Sequence, residues 1–324
     1  MLELNNIYCM DCLDGLKEIP DKSINLIVTD PPYNICKAKW DKIPNYVEWC
    51  GKWFKECERV LKDNGSFYFW HNDMVQIAQL MEWIRKNTKF VFKQFIVWNK
   101  RFDGSNLKGY FDGYVCVDNL RNYKQMAEYC LFYTFQDETG LDKILPLCFN
   151  PYLNYMTDEK NAIGWDNNQF NKYLNYKSIA SHWFWQDESY SKQPQPRFIG
   201  KNDYLKLQST GYFRREYEDL RREYEDLRYT FNNQKTHHSV WNYEIAPRNG
   251  HATPKPLDMI TNIIQHSSKE GDTILDMFMG SGTTAVACID TRRNYIGFEN
   301  DKTIYENAQN RIYQHTKQMP LLEG

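Results

Sequence analysis

The stretch Ile24-Asn25-Leu26-Ile27-Val28-Thr29-Asp30-Pro31-Pro32-Tyr33 joins an apolar segment directly to a proline-rich turn. Apart from Asn25, residues 24–28 are apolar and rich in β-branched side chains, which is typical of a strand buried in a sheet. Similar segments alternate with helical patterns along the first hundred residues. This alternation predicts an α/β fold, with a mostly parallel central sheet and helices on both faces. The turn at 30–33 then lies at the carboxyl end of a strand, where such sheets bind ligands.

Hydrophobic periodicity places the other elements on both sides of this strand. In the N-terminal part we predict strands at 7–9, 66–70, 90–98 and 126–135, and helices at 11–19, 46–61 and 74–84. Lys62-Asp63-Asn64-Gly65 has the composition of a helix C-terminus and is predicted to end the second of these helices. In the C-terminal part we predict helices at 256–266 and 303–313, strands at 273–277 and 295–299, and a helix that follows residues 280–285.

The middle of the chain departs from this order, because it is aromatic, polar and irregular around Pro194-Gln195-Pro196. We therefore predict three parts, at residues 1–138, 139–240 and 241–324. Within the middle part, the sequence of residues 215–221 is repeated at 222–228. The repeat places Tyr217, Leu220, Tyr224 and Leu227 on one helix face. This favours a solvated helix that packs on its own domain, with a dimer contact or a DNA-spanning role as alternatives.

Composition excludes several classes of protein. No apolar run approaches the ~18–20 residues of a membrane-spanning helix, and no signal peptide is visible, so we expect a cytoplasmic protein. Nine scattered cysteines argue against a disulfide framework. Cys9 and Cys12 form a C-x-x-C without a second ligand pair, so we expect no metal.

Net charge does not indicate a nucleic-acid partner, because the formal charge is −2 and the isoelectric point is about 6.4. Local charge is more informative. Residues 85–124 contain nine Lys or Arg against three Asp. This basic stretch fits a surface that faces phosphates and fits a solvated loop about equally well.

A glycine-rich turn, Gly280-Ser281-Gly282-Thr283-Thr284-Ala285, follows the predicted strand 273–277, and Glu299 ends the next strand. This pattern is shared by many nucleoside sites, because glycines allow close approach of the backbone and an acid accepts ribose hydroxyls. A dinucleotide needs a second mononucleotide half, and too little chain follows the turn to form one. The turn therefore predicts a site for a different nucleoside-containing cofactor.

Asp30-Pro31-Pro32-Tyr33 has a distinct chemistry. The prolines freeze the backbone and lack N–H donors, so their carbonyls are fixed acceptors. A carboxylate and such a carbonyl could accept both hydrogens of an exocyclic amine and stabilise positive charge that develops on its nitrogen. Tyr33 offers a ring on which a base removed from a duplex could stack. A merely rigid turn is the structural alternative.

Because it contains both motifs in this order, the chain resembles the permuted, β-class DNA amino-methyltransferases, in which the catalytic motif precedes the cofactor motif. Asp30-Pro31-Pro32-Tyr33 matches the catalytic motif, and Asp276-Met277-Phe278-Met279-Gly280-Ser281-Gly282-Thr283-Thr284 matches the cofactor motif. The family usually has proline at the position of Met277. His251-Ala252-Thr253-Pro254-Lys255-Pro256 matches the motif ahead of the cofactor strand. The resemblance covers residues 1–135 and 240–315 and implies a circularly permuted, Rossmann-like methyltransferase fold with an inserted target-recognition region.

The resemblance also implies a function and a set of site residues. The reaction would be methyl transfer from S-adenosylmethionine to N6 of adenine in duplex DNA after base flipping, within a restriction-modification context. A cognate restriction endonuclease and a homodimer are partners that the resemblance leaves open. Cofactor contacts are expected from Asp11, Cys12, Thr253, Lys255, Asp276, Phe278, Gly280, Ser281, Gly282, Thr283 and Glu299. DNA contacts are expected from Lys100, Arg101, Lys108, Arg121, Lys177 and Ser178.

Three alternatives stay open at this point. N4-cytosine methylation is the nearest, because the same class performs both reactions, although Ser in place of Asp is commoner there at the first motif position. Glutamine methylation of a protein is disfavoured by Asp30 and by the permuted order. A DNA-binding relative without catalysis would carry a broken motif, and both motifs are whole. A carbon-5 cytosine enzyme would need a thiolate nucleophile, which the catalytic position lacks.

Overall fold

The computed structural model describes residues 2–35, 41–106, 123, 125–135, 150–178, 183–184, 198–227, 231, 238–247 and 254–318. The chain divides into two compact units, one of Met1–Thr134 with Thr230–Gly324 and one of Phe135–Tyr229. In chain order the elements are β1 (Asn6–Cys9), α1 (Cys12–Lys17), β2 (Ile24–Thr29), α2 (Tyr46–Val60), β3 (Leu61–His71), α3 (Met74–Asn87), β4 (Val91–Asn99), β5 (Ala127–Thr134), α4 (Asn150–Ile163), α5 (Asn167–Leu174), α6 (Lys201–Gln208), α7 (Tyr217–Leu227), β6 (Val240–Asn242), α8 (Leu257–Ser267), β7 (Thr273–Asp276), α9 (Thr283–Asp290), β8 (Asn294–Glu299) and α10 (Lys302–Gln318).

One eight-stranded sheet, in the order β1-β8-β7-β2-β3-β5-β4-β6, organises the first unit. All neighbours run parallel except β5, which is antiparallel to both β3 and β4. The predicted mostly parallel α/β sheet is therefore confirmed. The strands β2 and β7 lie side by side, with Leu26 opposite Ile274 and Ile27 opposite Leu275.

Helices cover both faces of this sheet, and β3 shows why. Successive side chains of a strand point to opposite faces. Phe67 and Phe69 pack on one face against Trp53 and Phe54 of α2, with ring centroids 5.3–6.3 Å apart. Tyr68 points to the other face, where its hydroxyl lies 2.8 Å from the Ser267 hydroxyl of α8. The alternating aromatic residues of one central strand thus form part of two separate hydrophobic layers.

The predicted end of the second helix is confirmed within one residue, whereas the role of Lys62-Asp63-Asn64-Gly65 as its C-terminus is wrong. Helix α2 ends at Val60, and Leu61 is already extended and pairs with Ile24. The next paired residue of β3 is Ser66, opposite Leu26, so residues 62–65 bulge out of the ladder. Residues 62–65 would favour a turn by composition, but they form an irregular part of β3, because the pairing of β3 with β2 outweighs that preference.

The second unit has its own aromatic core. Among its described residues, α4 to α7 surround buried side chains that include Tyr152, Phe170, Trp183, Tyr204 and Phe213. Trp183 is almost completely buried in this core, and Trp185 lies outside the described residues.

The repeated segment forms α7 in this unit, and its residues Tyr217, Leu220 and Tyr224 belong to the same core. The expected helix packed on its own domain is therefore confirmed. Arg222 pairs with Asp219 on its solvated side, at 2.7 Å.

Within the described part of the chain, no helix is long and apolar enough to cross a membrane.

Candidate active site

Four neighbouring strands of the sheet end at one cavity of about 470 Å³. The four are β1, β8, β7 and β2, and each is followed at once by cavity-lining residues. Asp11 follows β1, Asp30 follows β2, Phe278 follows β7, and Glu299 closes β8. Because the carboxyl ends of parallel strands meet at one edge, motifs far apart in sequence reach the same space.

The turn Asp30-Pro31-Pro32-Tyr33 forms one side of this cavity. The Tyr33 hydroxyl donates to Asp30 Oδ1 at 2.5 Å, and the ammonium of Lys255 contacts Asp30 Oδ2. Lys255 Nζ also lies 3.1 Å from the Tyr33 hydroxyl and 3.2 Å from Glu128 Oε2. Burial disfavours the charge of Lys255, but the carboxylates of Asp30 and Glu128 outweigh burial and raise the pKa of the lysine above its ordinary value. A buried cation is therefore held between two carboxylates.

A second set of polar side chains supports the turn from behind. The Asp73 N–H donates to Nδ1 of His71 at 3.1 Å, which leaves the ring proton of the neutral histidine on Nε2. Nε2 lies 3.1 Å from the Tyr46 hydroxyl, which in turn donates to the Pro32 carbonyl at 2.7 Å. Burial lowers the pKa of His71 to about 4, so the neutral form persists at physiological pH. This chain of three hydrogen bonds fixes the backbone of the turn to β3.

The glycine turn forms the opposite side of the cavity. Gly280 and Gly282 have φ of 53° and 78°, a region that side chains rarely occupy. The Gly280 N–H donates to Glu299 Oε2 at 3.0 Å, and the Asp301 N–H donates to Oε1 at 2.9 Å. Burial raises the pKa of Glu299, while both carboxylate oxygens keep further acceptor capacity. A ligand with hydroxyl groups could use that capacity.

Asp276 connects the two sides. Its carboxylate accepts from Thr29 of β2 at 3.0 Å, from Thr284 of α9 at 2.6 Å and from the Phe278 N–H at 3.1 Å. Burial raises the pKa of this carboxyl to about 6. Since these bonds join the ends of β2 and β7 to the start of α9, Asp276 braces the cavity wall.

Arg311 of α10 supports the glycine turn from outside the motif. Its guanidinium donates to the Ser281 carbonyl at 3.0 Å and contacts the hydroxyls of Ser281 and Thr283 at 3.2 and 3.0 Å. Ser281 and Thr283 are nearly buried and line the cavity. The position of the turn is therefore shared between strand, helix and a distant arginine.

Asp11 and Cys12 lie at the first turn of α1. Asp11 caps the helix, because its Oδ1 accepts from the Leu13 N–H at 2.8 Å. Burial raises the pKa of the Cys12 thiol to about 12, so it lines the cavity as a neutral group and is no nucleophile. In the described ranges, no cluster of His, Cys, Asp and Glu has the arrangement of a metal site.

The expected DNA-contacting residues have varied positions. The ammonium of Lys100 contacts Glu128 Oε1 and lies 4.6 Å above the Trp98 ring, so it pairs with a residue that lines the cavity. Arg101 is exposed, and Lys177 and Ser178 are exposed in the second unit. Thr253, Lys108 and Arg121 lie outside the described residues.

Sequence reasoning missed four residues of the site: Tyr46, His71, Glu128 and Arg311. A signal existed for two of them. Glu128 is the only acid in β5, and His71 ends a strand whose preceding four residues are aromatic. Tyr46 and Arg311 lie on helices that are rich in polar residues, where nothing local distinguishes them.

Comparisons with known proteins agree with this geometry. A family model described as DNA methylase, N6_N4_Mtase, matches residues 24–310. The Type II methyltransferase M1.MboII of Moraxella bovis is 28% identical over 304 residues, which cover 92% of each chain. The DNA adenine methyltransferase YhdJ of Escherichia coli K12 is 27% identical over 310 residues, or 92% of this chain and 79% of that one. The crystal structure of an M1.HpyAVI–SAM complex superposes with a TM-score of 0.52 at 18% identity, covering 95% of this chain and 98% of the other.

Proposed function

We propose, from the membership of this chain in the N6_N4_Mtase family of DNA methylases, that it transfers a methyl group from S-adenosylmethionine to N6 of adenine in duplex DNA. The family establishes methylation of DNA, and the choice of adenine is our inference. One observation carries the proposal. The Asp30 turn and the glycine turn follow paired strands and line the same cavity, so an acceptor amine and a cofactor can meet there.

The residues at the glycine turn fit S-adenosylmethionine. The cavity on this side is lined by the acids Asp11, Glu299 and Asp301, which suits a ligand with a sulfonium, an ammonium and ribose hydroxyls. Gly280, which lines the cavity, would allow close approach of the ligand, whereas Gly282 packs toward Ala308 and Ile312 of α10. Glu299 would accept ribose hydroxyls. When bound, the cofactor supplies an electrophilic methyl group on sulfur.

On the other side, Asp30 and a proline carbonyl would hold the target amine. Tyr46 already donates to the Pro32 carbonyl, so we assign the second acceptor to the carbonyl of Pro31. Two acceptors that take the amine hydrogens leave the nitrogen lone pair directed at the methyl group. They also stabilise the positive charge that develops on nitrogen. Tyr33 would stack on the flipped base.

Adenine is favoured over cytosine by Asp30, since Ser at this position is commoner in the N4-cytosine branch. The similarity to YhdJ, whose name states adenine, supports the same choice. N4-cytosine methylation is the second candidate, because the family name includes both nitrogen positions.

Several finer features stay predictions. The catalytic motif precedes the cofactor motif in the chain, which is our ground for a circularly permuted arrangement. We infer that the middle unit recognises the target sequence. A cognate restriction endonuclease and a homodimer stay open predictions.

Labelled S-adenosylmethionine and unmethylated DNA test the proposal. We expect tritium in DNA, recovered as N6-methyladenine after digestion to nucleosides. Asp30→Ala should abolish incorporation, and Asp30→Asn should lower it by about 10²-fold or more, because one anionic acceptor is lost. Asp63→Asn, at an exposed acid paired with Lys22, is the matched control.

Each other result has a clear meaning. N4-methylcytosine would support the second candidate, and full activity of Asp30→Ala would refute the mechanism. Label in protein glutamine, or no transfer by the wild type, would refute the proposed function.

A further inference from the structure

We propose that Glu128 is a positioning residue that takes over the Lys255 ammonium when the target amine docks on Asp30. The inference rests on the proposed function, because it concerns how the acceptor site is made available. Four charged side chains form a row of ion pairs in the order Lys100, Glu128, Lys255 and Asp30.

The carboxylate of Asp30 is already occupied by neighbouring side chains. Both of its carboxylate oxygens already have partners, Tyr33 at Oδ1 and Lys255 at Oδ2. An amine that donates to Asp30 must share or displace one of them. Tyr33 is part of the same rigid turn, whereas Lys255 reaches Asp30 through a flexible side chain from outside it. The displaced partner is therefore Lys255.

The positive charge of Lys255 decides where its side chain can go. Lys255 is a cation, and its side chain is 7% exposed. A cation at Asp30 would repel the positive charge that methyl transfer creates on the amine nitrogen. A buried cation without a counter-ion is strongly disfavoured. Efficient transfer therefore requires that Lys255 leave Asp30 and still contact an anion.

Glu128 is already in place beside Lys255. Its side chain is 5% exposed, and its Oε2 already lies 3.2 Å from Lys255 Nζ. Glu128 is placed there by the antiparallel direction of β5, in which Tyr129 is opposite His71 at the end of β3. The start of β5 therefore reaches the same sheet edge as the ends of the parallel strands. Only a short movement would transfer Lys255 entirely to Glu128.

Lys100 completes the cluster. It contacts Oε1 of Glu128, so each oxygen of this carboxylate has one lysine. Two acids and two lysines are formally neutral, and the transfer of Lys255 from Asp30 to Glu128 conserves that balance. Neutralising Glu128 would instead leave Asp30 as the counter-ion of Lys255, and Asp30 would be blocked for the base.

A double-mutant cycle tests this assignment. The proteins are the wild type, Glu128→Gln, Lys255→Met and the double variant, each as the full chain with cofactor and duplex DNA. The measurement is the single-turnover rate of methyl transfer at saturating cofactor. We expect Glu128→Gln alone to lower the rate by about 10- to 100-fold. In the Lys255→Met background the same substitution should change the rate by less than about twofold, because the cation that Glu128 would take from Asp30 is absent.

Further measurements separate positioning from a purely structural role. The affinity of each variant for S-adenosylmethionine should stay within about twofold of the wild type, with cooperative thermal unfolding retained. Lys100→Met removes the other lysine that contacts Glu128 and should lower the rate less than Glu128→Gln does. If Glu128→Gln does not fold, Glu128→Asp replaces it in both backgrounds, since the shorter side chain withdraws the carboxylate from Lys255.

Three results would overturn the proposal: wild-type rates in Glu128→Gln, an equal loss in both backgrounds, or loss of cofactor binding in Lys255→Met. The last would assign the lysine to the cofactor, as the motif resemblance suggested. These outcomes are distinct from failure of the proposed function, in which the wild type itself transfers no methyl group to DNA.

Discussion

Replacing Tyr46 by phenylalanine removes a hydroxyl that joins the turn Asp30-Pro31-Pro32-Tyr33 to the sheet and leaves the aromatic ring in place. The hydroxyl donates to the Pro32 carbonyl at 2.7 Å and lies 3.1 Å from Nε2 of His71. His71 is completely buried, so its N–H would lose its partner without access to water. An unsatisfied buried donor costs about 1–3 kcal/mol, and the half-buried carbonyl adds ~0.5–1 kcal/mol. We expect Tyr46→Phe to lower the free energy of unfolding by about 2–3 kcal/mol.

The same substitution should act on the reaction more than on cofactor binding. The bond holds the backbone at Pro32, two residues from Asp30, and does not involve the glycine turn. The single-turnover rate should fall by about tenfold or more, while the affinity for S-adenosylmethionine stays near that of the wild type. Urea denaturation measures the first effect, and tritium transfer and cofactor titration measure the second.

Tyr173→Phe is the matched control, because that hydroxyl donates to the Lys206 carbonyl at 3.2 Å from an exposed side chain. Its stability should change by less than about 0.5 kcal/mol. Wild-type stability together with a wild-type rate in Tyr46→Phe would refute the supporting role of this hydrogen-bond chain.

Two further predictions concern the walls of the cavity. In Gly15→Ala the new Cβ would lie 2.5 Å from the ring of Phe298, which is fully buried and lines the cavity. We expect this overpacking to lower the free energy of unfolding by about 1–3 kcal/mol and to weaken cofactor binding. Unchanged thermal unfolding and an unchanged cofactor titration would contradict this. Burial raises the pKa of Asp276 from 3.8 to about 6, so its stabilising contribution is complete below about pH 4 and is lost as the pH rises through 6, by about 3 kcal/mol. We expect the difference in free energy of unfolding between the wild type and Asp276→Asn to fall by this amount between pH 4 and pH 7 in urea titrations. A difference that does not change with pH would show that Asp276 is not the titrating group.

Local sequence was sufficient for most elements of the sheet. The strand 24–29 and the helix 46–60 were predicted within one or two residues, because the first is a short β-branched apolar run before a proline turn and the second has a helical period. It failed at residues 62–65, where a good helix-ending sequence became a bulge in β3. The pairing of Leu61 with Ile24 decided that outcome, and a partner 37 residues away leaves no trace in a local pattern.

The site divides in the same way. The sequence by itself determined the two turns, since proline, glycine and a strand end impose their geometry within a few residues. Only the tertiary structure brought Lys255 to Asp30, 225 residues away, and Glu128 beside both. The reason is physical: charge pairing and hydrogen bonding depend on distance in space, and the sheet order with its antiparallel β5 sets those distances. The Asp30 turn could therefore be singled out from ten residues, whereas the groups that pair with its carboxylate became visible only in the folded chain.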